Sequence, residues 1–325
     1  MAISSLITTS SFMLSYTKLS RSPSIFRSFT GLEVNEFDSL YSKVERMHPI
    51  FEERRLSRKD RKREIGAGHP FKLSLRDRLL MLLIYYRLYV TSTLLGFLFD
   101  LGQTNVLKDI RMIEPLVNES LPLPKKIYER ARRLRTIEEI EELFPGFKAL
   151  IDTTEQEIPR PKNKEKRKTH YSGKKRRHTV KTQLTVNGEG LIVHKTKHAR
   201  GRKHDYAIFN HNHPSLPGKV RPVVDLGYEG IQNDYPEMKP MIPFKRKAGG
   251  RGRRGVKGKE LTPSQKRFNR RLSKIRVVVE HTISRLKKFH IMGEEFRNRL
   301  KRYDVMTDIV SGLVNLRILE TTATI

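Results

Sequence analysis

The chain has 325 residues, enough for two domains, and its 66 Lys and Arg against 35 Asp and Glu give a formal charge of +31. This charge favours a nucleic-acid partner, because each neutralised phosphate releases condensed counterions; a ribosomal-type RNA binder or a solvated basic surface would have the same balance. The absence of cysteine excludes disulfides, zinc fingers and thiolate nucleophiles, and no apolar run reaches the roughly 18–20 residues of a membrane span.

Residues 1–30 are rich in Ser and Thr, and the first acidic residue is Glu33. A composition of this kind is typical of an organellar transit peptide. It is also typical of a disordered tail, with Met13 as the true start, and we predict the tail. The expected location is the cytoplasm of a prokaryote, in association with the nucleoid, while organellar or nuclear targeting stays open.

A helical region is predicted after this tail. Residues 31–48 place apolar side chains on one side of a short helix, and residues 52–65 form a charged linker. Ser74 can cap a further helix that runs from Leu75 to about Leu88.

The next two helices form a recognisable motif. One short helix follows Thr91, and Gly102 then supplies a turn before another helix. Two short helices around such a turn are typical of a helix-turn-helix, although an ordinary three-helix module has the same pattern. The polar start of the last helix, at Gln103, Thr104 and Asn105, would suit a recognition helix that reads base edges in the major groove.

Beyond a proline-containing connector the pattern changes to strands, with Asn187-Gly188 as a hairpin turn. Strands, a helix, a strand that ends in a carboxylate and then a long helix follow one another in the order of an RNase-H-like domain. The predicted fold class is therefore α/β, with a mixed sheet flanked by helices, after an all-α domain. The predicted elements are a charged helix in 128–144, strands at Lys148–Ile158, His178–Val186, Leu191–Lys197, Val220–Val224 and Met241–Phe244, and helices near Asp205–Asn210, Thr262–Phe289 and Val305–Leu319.

Three acidic residues stand among apolar neighbours. Asp152 follows Leu-Ile on a strand, Asp225 follows Val-Val where a strand meets a turn, and Glu280 follows three valines in the long helix. Phosphoryl transfer can use two metal ions roughly 3.5–4 Å apart, and Mg²⁺ prefers oxygen ligands. Each acid alone could instead cap a helix, form a turn or be solvated, so the pattern of all three carries the prediction of a metal site.

The long helix places cations beside its acid. Arg276 precedes Glu280 by four residues and Lys287 follows it by seven, so the three share one face. This is either a salt-bridge ladder or a metal-binding carboxylate flanked by cations that contact phosphates. Arg285 could add another phosphate contact.

The chain resembles a known family at these residues. The segments IDTTEQEIPRP, HYSGKKRRHTVKTQ, VVDLGYEG and RVVVEHTISRLKKF resemble the DDE transposases of bacterial and archaeal insertion sequences, close to the Harbinger-related branch. Residues 73–117 resemble their N-terminal helix-turn-helix. The resemblance implies that Asp152, Asp225 and Glu280 are catalytic ligands of two Mg²⁺ ions, with Mn²⁺ as an alternative.

The family also implies a reaction. Water activated at the metals would nick each transposon end, and the freed 3′-hydroxyl would attack target DNA. Relatives carry a Tyr-Arg-Glu-Lys signature, and Arg276, Glu280 and Lys287 match its last three positions. The Tyr position falls on Ser273, so that contact is altered or lost.

Two basic clusters are assigned to the DNA backbone. Residues 160–181 hold eleven Lys and Arg with one acid, and Lys245–Lys259 holds eight with none; either could instead be a disordered basic loop or a targeting run. His204 and Asp205 are expected to cap a short helix or line the site, and zinc is not expected there. Tyr228 could stack on a flipped base or pack. The predicted backbone contacts are Lys174, Lys175, Arg176, His178, Lys181, Arg276, Arg285 and Lys287.

The expected partner is double-stranded DNA, as terminal inverted repeats and as target, held by a homodimer or larger assembly. A nuclease without strand transfer and a domesticated, non-catalytic DNA-binding protein are the alternatives. The predicted division is a disordered tail at 1–30, a helix-turn-helix domain at 31–118, a connector at 119–146 and an RNase-H-like catalytic domain at 147–320.

Overall fold

The computed structural model describes residues 13–57, 62, 64, 70–246 and 260–323. The chain divides into two compact units, an N-terminal unit of Met1–Leu121 with Lys288–Gly293 and a sheet unit of Pro122–Lys287 with Glu294–Ile325. The return of a short C-terminal segment to the first unit has no counterpart in the division expected from the sequence, which stays a prediction.

The N-terminal unit is all helical. Its helices are α1 (Tyr16–Leu19), α2 (Pro23–Thr30), α3 (Val34–Leu56), α4 (Leu75–Leu88), α5 (Ser92–Phe99) and α6 (Gln103–Ser120), together with the short α13 (His290–Gly293).

Part of the predicted tail is ordered. Residues 16–30 form α1 and α2, so a disordered tail is wrong for them, while residues 1–12 lie outside the described part. Aromatic packing is the cause: the Tyr16 ring stacks on Phe37 with centroids 5.1 Å apart, and Phe26 meets both rings edge-on. The disordered tail is predicted from the Ser and Thr content alone, which does not take account of these aromatic contacts.

Helix α3 is longer than the predicted 31–48. It begins with a capping box between Glu33 and Glu36, and it continues through Pro49 to Leu56. An ion pair between Glu52 and Arg55, with its atoms 2.6 Å apart, stabilises the last turns. The start of the predicted charged linker is therefore helical.

The helices of the helix-turn-helix begin where the sequence predicts. Oγ of Ser74 accepts a hydrogen bond from the backbone N–H of Asp77, and Oγ1 of Thr91 accepts one from Leu94. Gly102 is the N-cap residue of α6. The apolar run of α4, residues 79–84, is fully buried, which explains why it has no polar face.

The sheet unit contains a six-stranded mixed sheet in the order β2-β3-β1-β6, with β4 and β5 also paired to β3. Strand β1 is antiparallel to β3 and parallel to β6. The strands are β1 (Lys148–Glu157), β2 (Tyr171–Ser172), β3 (Arg177–Val186), β4 (Ile192–Lys195), β5 (Ala199–Arg200) and β6 (Arg221–Val223), and the helices are α7 (Pro124–Ala131), α8 (Ile137–Leu143), α9 (Lys164–His170), α10 (Asp205–Asn212), α11 (Ile231–Asp234), α12 (Pro263–Lys287) and α14 (Tyr303–Ala323).

The predicted fold class is confirmed: an RNase-H-like mixed sheet flanked by helices follows an all-α helix-turn-helix region. Two local predictions are wrong. The single charged helix is two helices, α7 and α8, because Thr136 starts a new capping box with Glu139. The strand expected at Met241–Phe244 is only a bridge from Met241 to Val223. Among the described residues, no helix is both long and apolar enough to cross a membrane.

Candidate active site

Two of the three predicted acids lie on neighbouring parallel strands, Asp152 in the middle of β1 and Asp225 just after the end of β6. Leu150 of β1 pairs with Val223 of β6 in parallel register, and Asp152 and Asp225 each follow two residues later. The apolar residues before them are fully buried, which anchors both strands in the core. Parallel pairing therefore brings together two carboxylates that are 73 positions apart in the chain, as the residue numbers show.

Backbone donors orient both carboxylates. The N–H of Thr153 donates to Oδ1 of Asp152 at 2.7 Å, and the N–H of Gly227 donates to Oδ1 of Asp225 at 2.8 Å. A Cβ atom at residue 227 would lie 2.9 Å from that same oxygen, closer than real side chains approach. A side chain at residue 227 would therefore displace the Asp225 carboxylate from this position.

One guanidinium faces both acids. An Nη atom of Arg276 on α12 lies 3.8 Å from Oδ2 of Asp152 and 3.9 Å from Oδ2 of Asp225. These distances are longer than direct hydrogen bonds. The Nε atom of Arg276 is also buried with no hydrogen-bond partner among the described residues. Two negative charges thus face one positive charge.

The electrostatics of Asp152 reflect this imbalance. Burial is the largest cause that raises the pKa of its carboxyl, and the neighbouring charge of Asp225 raises it further. The N–H of Thr153 and the charge of Arg276 act in the opposite direction, and the resulting pKa is about 6. An additional cation at the pair would favour the ionised form. Carboxylate oxygens are the donors that Mg²⁺ and Mn²⁺ prefer, so this pair fits a divalent metal ion.

A further acid, Asp205, lies beside the pair. Its Oδ1 accepts a hydrogen bond from Nζ of Lys181 at 2.9 Å, and its charge raises the pKa of Asp152. Of the two roles expected for Asp205, the structure supports the position in the site. The signal for this role in the sequence is weak, since an acid in the first turn of a helix is common.

The structure decides the role of Tyr228. Its ring is fully buried, so it packs in the core and cannot stack on a flipped base. Its hydroxyl is 2.9 Å from Oγ1 of Thr153 and accepts a hydrogen bond from Nε2 of Gln183 at 2.9 Å. Tyr228 thus joins the turn after Asp225 to the strand that carries Asp152. Sequence reasoning missed Gln183, whose only signal is its place among alternating polar residues on β3.

Glu280 is not joined to the aspartates. It is exposed on α12, one helical turn beyond Arg276, and no hydrogen bond between it and either aspartate occurs in the described chain. Within those residues, no three Asp, Glu, His or Cys side chains form a group that could hold a metal ion. The structure therefore brings together two of the three predicted ligands and places Arg276, which was expected to contact phosphate, against the carboxylates.

The other side chains predicted to contact the DNA backbone differ in how accessible they are to solvent. Lys181 is largely buried and its Nζ binds Asp205 and the carbonyl of Lys203, so it is committed to the protein. Burial is the main cause that lowers the pKa of Lys287. The remaining side chains are open to solvent at least in part, namely Lys174, Lys175 and Arg176 in the turn before β3, His178 on β3 and Arg285 on α12.

The N-terminal unit presents the predicted recognition surface. Gln103, Thr104 and Asn105 form the first turn of α6 and are all exposed. Nε2 of Gln103 donates to Oγ of Ser92 at 3.1 Å, which links the two helices of the motif. The second basic cluster, Lys245–Lys259, lies outside the described residues except for Lys245 and Arg246.

Comparisons with known proteins identify the family to which the chain is similar. Residues 151–315 match the family described as "DDE superfamily endonuclease", and residues 71–123 match "Helix-turn-helix of DDE superfamily endonuclease". The chain is 30% identical to the "Probable transposase for insertion sequence element IS702" of Microchaete diplosiphon over 258 residues, which covers 79% of this chain and 85% of that relative. No solved structure matches the chain significantly.

Proposed function

The chain belongs to the DDE superfamily endonucleases of the transposase type, and on this premise we propose that it cleaves the ends of a mobile DNA element and joins them to target DNA. The observation that carries the proposal is the convergence of Asp152, within β1, and Asp225, just after the neighbouring parallel strand β6. Both carboxylates lie within 4 Å of a single arginine, Arg276, in a cluster with excess negative charge.

We assign Asp152 and Asp225 as ligands of divalent metal ions, which DDE superfamily nucleases generally use, with Mg²⁺ or Mn²⁺ as the candidates. Glu280 is proposed as the third ligand on the strength of the family pattern. Metal ions bound there would neutralise charge on the scissile phosphate and lower the pKa of the attacking water.

The protein groups have separate roles in this scheme. Asp152 and Asp225 are oriented by backbone N–H donors, so little reorganisation is needed when they bind a cation. Arg276 balances part of their charge, and if a bound metal ion supplied positive charge there, the guanidinium of Arg276 would be available to contact a DNA phosphate. Tyr228 and Gln183 join the turn after Asp225 to strands β1 and β3.

DNA binding would come from both units. The exposed first turn of α6 is proposed to read the terminal inverted repeats, and Lys174, Lys175 and Arg176 to bind backbone phosphates. Because two ends must be held together for joining, the active assembly is proposed to be at least a homodimer.

A strand-transfer assay tests the proposal. Labelled duplexes that carry the ends of the element are mixed with the protein, Mg²⁺ and a supercoiled target plasmid. We expect nicked ends and labelled joint molecules for the wild type, and neither for Asp225→Asn. Nicked ends without joint molecules would identify a nuclease that lacks strand transfer. Specific binding without nicking would identify the non-catalytic DNA-binding protein.

A further inference from the structure

A basic cavity lies away from the carboxylates in the sheet unit. It is a groove open to solvent beside β2 with a volume of about 810 Å³, which is within the range of about 300–1,000 Å³ usual for ligand sites. Its wall carries the rings of Tyr171 and His178. The same wall carries five cations, Arg160, Lys164, Arg167, Lys168 and Arg202.

The protein leaves most of this positive charge unbalanced. Only Lys168 has an acidic neighbour, with its Nζ 3.9 Å from a carboxylate oxygen of Glu165. The other four cations form no ion pair within the described residues. The Nε atom of Arg167 is also buried with no hydrogen-bond partner there. A buried donor without a partner costs stability, and an anionic ligand with several acceptor oxygens would satisfy it.

The aromatic pair indicates what kind of anion fits. Tyr171 is 44% exposed although its ring contacts the imidazole of His178, with ring centroids 5.6 Å apart and planes at 70°. An exposed ring amid cations is the combination with which proteins bind single-stranded nucleic acid, since bases stack on the ring and phosphates meet the cations. In an intact duplex the base faces are covered by their neighbours, so only an unpaired base can reach Tyr171.

The cavity lies beside β3, the strand that also pairs with Asp152. A second cavity of about 780 Å³ shares Arg202 with the first and extends to Lys203. The carbonyl of Lys203 accepts a hydrogen bond from Lys181, which also pairs with Asp205 beside the two carboxylates. Along β3, His178 lies six residues before the partner of Asp152, a distance of about 20 Å. The separation of the two sites along β3 therefore corresponds to a few nucleotides of an extended strand.

We propose that the cavity around Tyr171 binds an unpaired nucleotide of the DNA strand being processed. The base stacks on Tyr171, and its phosphates contact Arg160, Arg167 and Arg202. The identity of the ligand as DNA rests on the proposed function, whereas the requirement for an unpaired base comes from the cavity itself. The nucleotide can be a single-stranded flank or a base extruded from a duplex.

Equilibrium binding without divalent metal tests this inference on the full chain. The probes are a blunt duplex, the same duplex with a tail of unpaired thymidines, and the same duplex with one extra unpaired thymidine inside it. We expect Tyr171→Ala to weaken binding of at least one unpaired probe by about 5- to 150-fold, the range of base–aromatic stacking. Affinity for the blunt duplex should stay within about twofold, and Tyr171→Phe should restore tight binding.

Charge variants and a stability measurement complete the test. Arg202→Gln should weaken binding of the unpaired probes more than Arg133→Gln, which removes an exposed cation outside the cavity. Unchanged thermal unfolding of Tyr171→Ala would show that the fold is intact. Sensitivity to the tailed or to the bulged probe identifies the source of the nucleotide.

Equal affinity of wild type and Tyr171→Ala for all three probes, or an equal loss on all three, would overturn the inference. Because no metal and no cleavage are involved, such a result would leave the proposed transposase activity to the strand-transfer assay. If the wild type failed in the strand-transfer assay but showed the expected dependence on unpaired probes, the proposed transposase activity would be contradicted and the nucleotide-binding cavity would be supported.

Discussion

The two units each bury an arginine against an acid, but with different charge balance. In the N-terminal unit Arg78 and Asp109 form a one-to-one pair, with Nε and Oδ1 3.3 Å apart and side chains 4% and 10% exposed. In the sheet unit Arg276 faces Asp152 and Asp225 at 3.8 and 3.9 Å, and the side chain of Asp225 is 36% exposed.

The difference separates a structural ion pair from a site for a ligand. The balanced pair joins α4 to α6, and the guanidinium of Arg78 also lies 3.7 Å from the centroid of the Phe71 ring. The unbalanced cluster keeps one negative charge in excess and is open to solvent on one side. Its arrangement therefore favours an additional cation, which a well-packed one-to-one pair does not.

Removing an acid from the unbalanced cluster should have the largest effect on activity. Asp152→Asn, Asp225→Asn and Glu280→Gln should each lower the rate of Mg²⁺-dependent cleavage by about a thousandfold or more, because metal ligation contributes several kcal/mol to transition-state stabilisation. Gel analysis of labelled duplex ends measures this. DNA affinity should change little, and Glu141→Gln, an exposed acid of α8, should cleave normally. A variant that cleaves at the wild-type rate would remove its residue from the site.

Removing the acid from the balanced pair should mainly affect stability. Asp109→Ala leaves Arg78 buried without its partner, and we expect the free energy of unfolding to fall by about 3–5 kcal/mol. Urea unfolding followed by circular dichroism measures the change. A decrease in the free energy of unfolding below about 1 kcal/mol would show that the contact between Arg78 and Asp109 is not a stabilising ion pair.

Removing the negative charge of Asp152 from the unbalanced cluster should instead increase the free energy of unfolding. The folded-state pKa of Asp152, about 6, lies above the ordinary value of 3.8, so its ionisation costs stability as pH rises through this interval. Without metal, Asp152→Asn should therefore be more stable than the wild type by about 3 kcal/mol at pH 7.5, and the difference should vanish below about pH 4. Urea unfolding across this pH range tests the sign. A variant less stable than the wild type at pH 7.5 would contradict it.

The smallest effect is expected from cations without a buried partner. Replacing Lys174, Lys175 and Arg176 with Gln should reduce the slope of log affinity against log salt by about 2–3, with no loss of fold stability. Arg130→Gln is the matched control, since Arg130 is already paired with Glu142 at 3.1 Å. Fluorescence anisotropy at several salt concentrations gives the slopes. An unchanged slope for the triple variant would exclude this turn from the DNA contact.

Local signals in the sequence predicted much of the fold. Helix caps and turn residues are recognised from a few neighbouring residues. The structure contains the predicted caps at Ser74 and Thr91 and the predicted turn residue Gly102. Strand β1 likewise follows from its run of apolar residues. In contrast, α1 and α2 depend on rings that meet Phe37 of another helix, and composition alone could not reveal that contact.

The candidate site was predicted only in part, for a similar reason. The isolation of Asp152 and Asp225 among apolar residues is visible in the sequence, but their proximity depends on the pairing of β1 with β6. Helical periodicity put Arg276 and Glu280 on one face without showing which of them meets the carboxylates. Asp205 lies at the start of α10, and the position of this helix beside the site is set by long-range packing.

Anomalous diffraction from crystals of the protein grown with DNA ends and Mn²⁺ would test the central claim most directly. The account predicts an Mn²⁺ peak bound by oxygens of both Asp152 and Asp225, with the guanidinium of Arg276 displaced from between them. DNA bound at the site with no Mn²⁺ peak, and Arg276 still in contact with both carboxylates, would contradict it.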